Sequence, residues 1–506
     1  MSLSWQDAGM SLYKKTSSLA DHIESPVTFA PCSNGEYCPS PPTKQDMQAE
    51  QMWKRLVEKQ HKRLGISRRE FAQSACGSAA ALLVINQVYG CGGNANGVRD
   101  GGNVGVDDAG YGVDAGMLDD SARACEALTG DEFILDVQTH SAAPRPPWME
   151  ADLCRPTEMS QDCIGPLRFI KEIFVASDTQ VAVLSGVPSL RDQDPLHIEA
   201  RDEIRRIVER IGGPRLLLHA NVRPNEGKAA LDFMEADAGA YPVRAWKVYP
   251  SDGNWRLDQE QFGFPFLQKA RALNIKVIAA HRGIASDDNR YTDFSSPRDL
   301  AGAAKMFPDI SFLCYHSAWD GKVDEAHVFD PDEANPRGVD RLVKAVLDNG
   351  IGANGSPGNV YAELGSTWRN LMTKPEQAAH ALGKLLKYLG PDQIVWGTDA
   401  LFTGTPQEQI VAFRAFQIPE KMQEAHGYPA LCAQTKRKIL GLNAAKVYGV
   451  DPKATLDEIR LDEVTQLQLA RVDDPRAVPL PSQKAYGPRS RREFFNMLRI
   501  QGGRHV

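Results

Sequence analysis

Residues 133–144 read FILDVQTHSAAP, an apolar run that ends in polar residues. Asp136, Gln138 and His140 alternate with Val137 and Thr139, so a strand would turn all three polar groups to one face. Polar groups converging at a strand end are the beginning of a metal or proton-transfer site. The middle one is a glutamine, whose neutral amide oxygen is a weaker donor to zinc than an imidazole nitrogen. Further apolar runs end in the same way. His219 and Asn221 follow one, and Lys247, His281, His316, Glu363 and Asp399 close others. The whole chain has 11 histidines among 506 residues, so four of them at or near such ends is not chance placement.

Positioning these residues requires strands in a fixed order. Candidate strands are residues 133–137, 181–185, 215–221, 243–249, 275–281, 310–316, 360–365 and 394–399. Between them lie segments of 3.6-residue period, among them 202–211, 259–273, 378–390 and 406–418. Near-continuous apolar strands separated by helices call for a parallel sheet buried on both faces. Eight such units predict an α/β fold, a (β/α)8 TIM barrel over 131–450, whose site would sit at the C-terminal ends of the strands. A doubly wound open sheet is the alternative, but no strand is followed by a Gly-rich phosphate loop. Residues 451–506 read as a C-terminal extension packed on the barrel.

At these strand ends the chain resembles a known family. LDVQTH, AAHRGI, FLCYHSAW and WGTDALF look like successive signatures of the amidohydrolase superfamily, in the branch that includes aminocarboxymuconate-semialdehyde decarboxylase and related metal-dependent hydrolases. KILGLNAAKVYGV, residues 438–450, is similar to the closing helix of that branch. The resemblance implies one divalent metal ion held by an H-x-H pair on the first strand, a histidine on the fifth and an aspartate on the eighth. Those positions are Gln138, His140, His281 and Asp399. It further implies that Asp399 takes a proton from metal-activated water and that His316 orients the nucleophile or stabilises the oxyanion. Lys247 would anchor a substrate carboxylate and Glu363 would contact substrate or pack in the interior.

Gln138 leaves three readings open: a weak ligand or water orienter beside three strong ligands, a harder ion such as Mn²⁺ or Mg²⁺ in place of Zn²⁺, or a barrel that has lost its metal. The first is preferred, because three ligands and an open position still make a catalytic site. The expected function is a metal-dependent hydrolase of an amide, ester or lactone, acting on a small molecule. The alternatives are a metal-dependent decarboxylase of a small unsaturated or aromatic acid and a non-catalytic exported barrel.

The net charge of −7, with no basic run interleaved with aromatics, argues against a nucleic-acid partner. Nine cysteines without a CxxC pair make neither a disulfide scaffold nor a zinc ribbon, and a Cys154–Cys163 bridge stays open. Residues 67–91 place Arg68-Arg69 ahead of an apolar stretch and VYGC, which resembles a twin-arginine signal with a lipobox and lipidation at Cys91. The stretch is shorter than the roughly 20 residues that span a bilayer. The expectation is a disordered extension over 1–66, a signal over 67–91, a Gly/Asp-rich tether over 92–130, and export to the periplasm or membrane attachment through Cys91, with a cytoplasmic protein as the alternative. Oligomeric state is not legible.

Overall fold

The computed structural model describes residues 23–90, 110–142, 165–284, 293–352, 358–474 and 487–500. The lipidation site Cys91 and the pair Cys154 and Cys163 lie outside the described residues. Eight strands form one sheet: β1 (Leu135–Thr139), β2 (Val181–Leu184), β3 (Leu216–Val222), β4 (Val243–Val248), β5 (Val277–His281), β6 (Ser311–Tyr315), β7 (Val360–Glu363) and β8 (Ile394–Val395). They pair in sequence order and all in parallel. A parallel bridge between Thr139 and Ala400 joins the last strand to the first. Val137 N also donates to Trp396 O at 3.0 Å and Asp399 N to Gln138 O at 2.9 Å, so the sheet closes as the expected (β/α)8 barrel.

The strand sequences explain the closure. Leu135, Val137, Val181, Val183, Leu217, Ala245, Val277, Ala279, Leu313, Tyr361 and Val395 fill the lumen. The residues between them, such as Ala182, Leu184, Leu218, Trp246, Ile278, Phe312 and Ala362, lie under the outer helices. Each face is therefore apolar, and each fully buried Val, Leu or Ile contributes about 1.5–3 kcal/mol over exposure. The helix Ile198–Gly212 shows the matching pattern, burying Ile198, Arg201, Ile204 and Val208 at helical spacing.

The N-terminal region departs from expectation. Residues 23–66 are not a disordered extension. They run as an irregular strap over 23–43 into α1 (Lys44–Leu64), whose Thr43 and Asp46 make a reciprocal capping box. A short α2 (Arg68–Gln73) leads to α3 (Ala75–Tyr89), where the expected signal stretch is a helix built into the fold. Ala79 to Val84 and Ile85 of α3 are almost entirely buried, and Asn86 exchanges two hydrogen bonds with the backbone of Tyr111 (2.9 and 3.2 Å). Tyr89 donates to Asp46 of α1 at 2.7 Å. The tether expected over 92–130 is likewise ordered from Gly110: Tyr111 bridges Phe416 and Ser121–Leu128 is a helix. A short apolar run has the same composition whether it is an export signal or a buried helix, which is why the stretch reads both ways. No helix among the described residues is long and apolar enough to cross a membrane. At the other end, Asp462 of the C-terminal extension pairs with buried Arg215 at 2.8 and 3.0 Å.

If α3 belongs to the cooperative core, Leu82→Ala lowers stability by about 2–5 kcal/mol, the cost of a cavity at a fully buried leucine. Urea unfolding of the full chain checks this; an unchanged midpoint would show α3 to be an independent appendage.

Candidate metal centre

Parity along the strands delivers the polar residues to the barrel mouth. Two residues beyond the luminal Leu217, Ala245, Ala279 and Tyr361 stand His219, Lys247, His281 and Glu363, and Asp399 lies four beyond Val395. Strand β1 is the exception. Leu135 and Val137 already point inward, so strict alternation would aim Gln138 and His140 out. A register shift between Asp136 and Thr139 reverses the parity, as a bulge does, and both side chains reach Asp399. His316, Ser317, Ala318, Ser366 and Asp399 all adopt positive φ (64°, 49°, 58°, 55° and 59°), a strained conformation for residues with a Cβ. Such strain concentrates at functional sites.

One half of the centre is built on the seam. His140 Nδ1 lies 3.1 Å from the Ser185 carbonyl, which can only accept, so Nδ1 carries the hydrogen. The other ring nitrogen, Nε2, lies 3.0 Å from Asp399 Oδ1. Two acceptors at that distance require a proton or a cation. Gln138 Nε2 donates to the same Oδ1 at 3.0 Å. The Ser366 hydroxyl and Asn34 Nδ2 (2.9 Å) donate to Oδ2. Burial alone would raise Asp399, but the hydrogen bond and charge of His140 and the Ser366 hydrogen bond hold it well below the usual carboxylate range.

The other half is formed by His281, His316 and a residue from outside the barrel, Glu36 of the strap. Glu36 Oε2 is 2.9 Å from His281 Nε2 and 3.8 Å from His316 Nε2. The ligand atoms of the three lie within 4.8 Å of one another. His316 Nδ1 faces the Gly365 carbonyl at 2.7 Å and must donate, which leaves the buried Nε2 bare and without a partner. Burial, then the charge of His281, pushes His316 down to about 4, so the ring is neutral near pH 7. Burial would raise Glu36, yet the charge and hydrogen bond of His281 bring it down to about 2. Asn34 Nδ2 donates to Glu36 Oε2 at 2.6 Å as well as to Asp399, tying the two halves together. Imidazole lone pairs and carboxylates thus converge in a buried space, a donor set that fits a divalent ion. A second group, Glu325, His327 and Asp340, already holds the ammonium of Lys384 at 3.0 and 2.6 Å and needs no ion.

The remaining candidates have distinct places. Lys247 is fully buried, its Nζ 3.3 Å from the centre of the Tyr315 ring and without a hydrogen-bond partner, and burial brings it down to about 7. Glu363 accepts from the backbone of His316 (2.9 Å) and Gly365 (2.6 Å), so it shapes the turns after β6 and β7 rather than presenting free oxygens to substrate. Asp136 accepts from Gln138 N and from Thr398, bracing the seam. His219 bonds Ser185 and Tyr448 as a core histidine. Trp319 lines, with Tyr37 and Arg369, a cavity of about 490 Å³ that strap residues also border. Trp368 is packing, its indole N–H held by the Gln409 carbonyl. Asn34, Glu36 and Ser366 were missed by the sequence reading. Neither strap residue lies in a periodic element, and only the Asn-Gly turn marks the spot.

The Lys247 amine titrates near 7 when folded against 10.5 when unfolded. Between those values the unfolded chain binds more protons, so stability rises with pH, by at most about 1.4 kcal/mol per unit. Urea unfolding at pH 7 and pH 9 should show this rise in the wild type and its loss in Lys247→Met.

The amidohydrolase family model matches residues 175–450. No curated protein matches the chain. Among solved structures, the chain is similar to an uncharacterised TIM-barrel protein from Bordetella bronchiseptica, at 14% identity and TM-score 0.41 over 62% of this chain and 98% of that one. It is also similar to 2,6-dihydroxybenzoate decarboxylase from Rhizobium, at 15% identity and TM-score 0.40 over 63% and 99%. A third is 5-carboxyvanillate decarboxylase from Novosphingobium aromaticivorans, solved with manganese, at 13% identity and TM-score 0.41 over 64% and 99%. With more than half of its length matched by the family model and the strand-end donors on one closed barrel, this chain belongs to the amidohydrolase family.

Proposed function

We propose that the chain is a metal-dependent hydrolase that cleaves an amide, ester or lactone of a small molecule. The observation that carries this reading is the contact between His140 Nε2 and Asp399 Oδ1, 3.0 Å apart with Nδ1 committed to a carbonyl. A divalent ion bound by His140, His281 and Asp399 would supply Lewis-acid polarisation of the carbonyl and acidify water. The protein does the rest. Asp399, fixed by Ser366, Asn34 and Gln138, takes the proton of the attacking water and returns it to the leaving group. The bare Nε2 of neutral His316 accepts a hydrogen bond from that water and orients it; it has no hydrogen with which to stabilise an oxyanion. Lys247 adds positive potential from under the site when protonated.

A second reading draws on the same geometry. The same donors would serve a decarboxylase: the bond from carbon to the substrate carboxylate breaks, carbon dioxide leaves, and the electron pair left on carbon takes a proton from solvent water.

Asp399→Asn should lose at least about 10²–10⁴-fold in kcat, the usual worth of a general base, with unchanged circular dichroism. Assaying lactones, esters, amides and aromatic acids for both hydrolysis products and carbon dioxide separates the two readings. Full activity after exhaustive chelation would overturn both.

A further inference from the structure

The family pattern places a ligand where this chain has Gln138, a neutral amide whose Oε1 is buried without a hydrogen-bond partner. Its Nε2 donates to Asp399, and its Oε1 is turned to Gly365, where a Cβ would come within 2.3 Å. Resting on the metal-dependent reading above, we propose that Glu36, carried over the barrel mouth by the N-terminal strap, is a metal ligand that takes the place of the missing imidazole. The assignment stands on three observations.

The first is position. Glu36 Oε2 meets His281 Nε2 at 2.9 Å and faces the unpartnered, fully buried Nε2 of His316 at 3.8 Å. His316 Nε2 is an acceptor without a partner, and His281 Nε2 and Glu36 Oε2 stand at the separation of two neighbouring ligands of one ion. The second is charge. Glu36 and Asp399 converge on one amide nitrogen of Asn34, and neither makes an ion pair with a lysine or arginine among the described residues. A buried carboxylate beside a second that is only 12% exposed is costly unless a cation offsets them.

The third is preorganisation. Ser33 N donates to Pro488 O at 3.0 Å, Cys32 Sγ contacts Phe402 O at 3.4 Å, and Glu36 N donates to Asn34 Oδ1 at 3.0 Å. The Tyr37 hydroxyl lies 3.0 Å from Cys32 O and 3.1 Å from Asn370 Oδ1. The strap is clamped from the C-terminal segment, from the loop after β8 and from its own turns, so the carboxylate is aimed rather than lying there by accident. A carboxylate in place of an imidazole also shifts the donor set toward harder ions, for which Mn²⁺ is the appropriate probe.

The test is Mn²⁺ titration of the full chain by calorimetry, with free Mn²⁺ followed by electron paramagnetic resonance. The wild type should bind one Mn²⁺. Glu36→Gln should bind at least roughly 10–100-fold more weakly, the loss typical of even a supporting partner, whereas Gln138→Ala should change affinity far less. Glu36→Asp, which keeps a carboxylate on the strap, should recover part of the loss, and the Mn²⁺-induced rise in melting temperature should follow the same order. That rise, read against each variant's metal-free melting temperature, separates ligation from a merely structural role. Unchanged affinity in Glu36→Gln, or a larger loss in Gln138→Ala, would overturn the assignment while leaving the metal-dependent reading intact. Tighter binding in Glu36→Gln would overturn it by showing the strap to be a plug that competes with the ion. A wild type that binds no divalent ion would overturn both.

Discussion

The seam between β8 and β1 is the constraint on which the rest depends. The hydrogen bond from Asp399 N to Gln138 O and the bridge between Thr139 and Ala400 close the barrel, and the side chains of Gln138, His140 and Asp399 on the same seam form one half of the centre. Closing the sheet and assembling the donors are therefore one event. The register shift in β1 is what makes this possible, because without it the lumen-facing Leu135 and Val137 would commit Gln138 and His140 to the outside. Asp136, bonded to Gln138 N and Thr398, holds that irregularity in place; burial pushes its carboxyl up to about 7, against the hydrogen bonds from Thr398 and Gln138.

Strain and support recur together around the mouth. The left-handed conformations at His316, Ser317 and Ala318 turn the chain sharply after β6, and Glu363 receives the His316 N–H from the neighbouring strand. The Ser317 hydroxyl donates to the Glu363 carbonyl at 2.7 Å, and Thr367 donates to the His316 carbonyl at 2.7 Å. The ring orientation and tautomer of His316 are set by its Nδ1, which faces the Gly365 carbonyl at 2.7 Å. A ligand histidine usually needs this support from its other nitrogen, and His140 obtains it from Ser185.

Much of this was legible in the sequence. All eight strands lie where the apolar runs stand, because a parallel barrel buries both faces and leaves few other readings for a run of Val, Ile, Leu and Ala. On β3, β4, β5 and β7 the strand-end residues follow from period-2 parity, whereas on β1 they depend on the register shift. What could not be read was whatever depends on contact at long range. Glu36 meets His281 across 245 positions of sequence, from a segment with no secondary structure, and only the Asn-Gly pair ahead of it marks a turn there. The helix α3 shows another limit: an apolar run preceded by two arginines has a local pattern that export and burial share, and its packing on α1 and Tyr111 has no local signature. Glu363 shows a third limit, since a carboxylate at a strand end can serve the backbone as readily as a ligand.

The strap makes maturation a question of chemistry. Cys91 follows Glu36, α1 and α3 in the chain, so a peptidase that cut ahead of it would strip away all three. The shortened product would keep His140, His281, His316 and Asp399 but would expose the apolar surface that α3 covers and leave His281 without its carboxylate neighbour. Proteolytic release at that cysteine and a strap-covered barrel mouth are consequently alternatives within one molecule, and the length of the polypeptide recovered from its native cell decides which of them is in use.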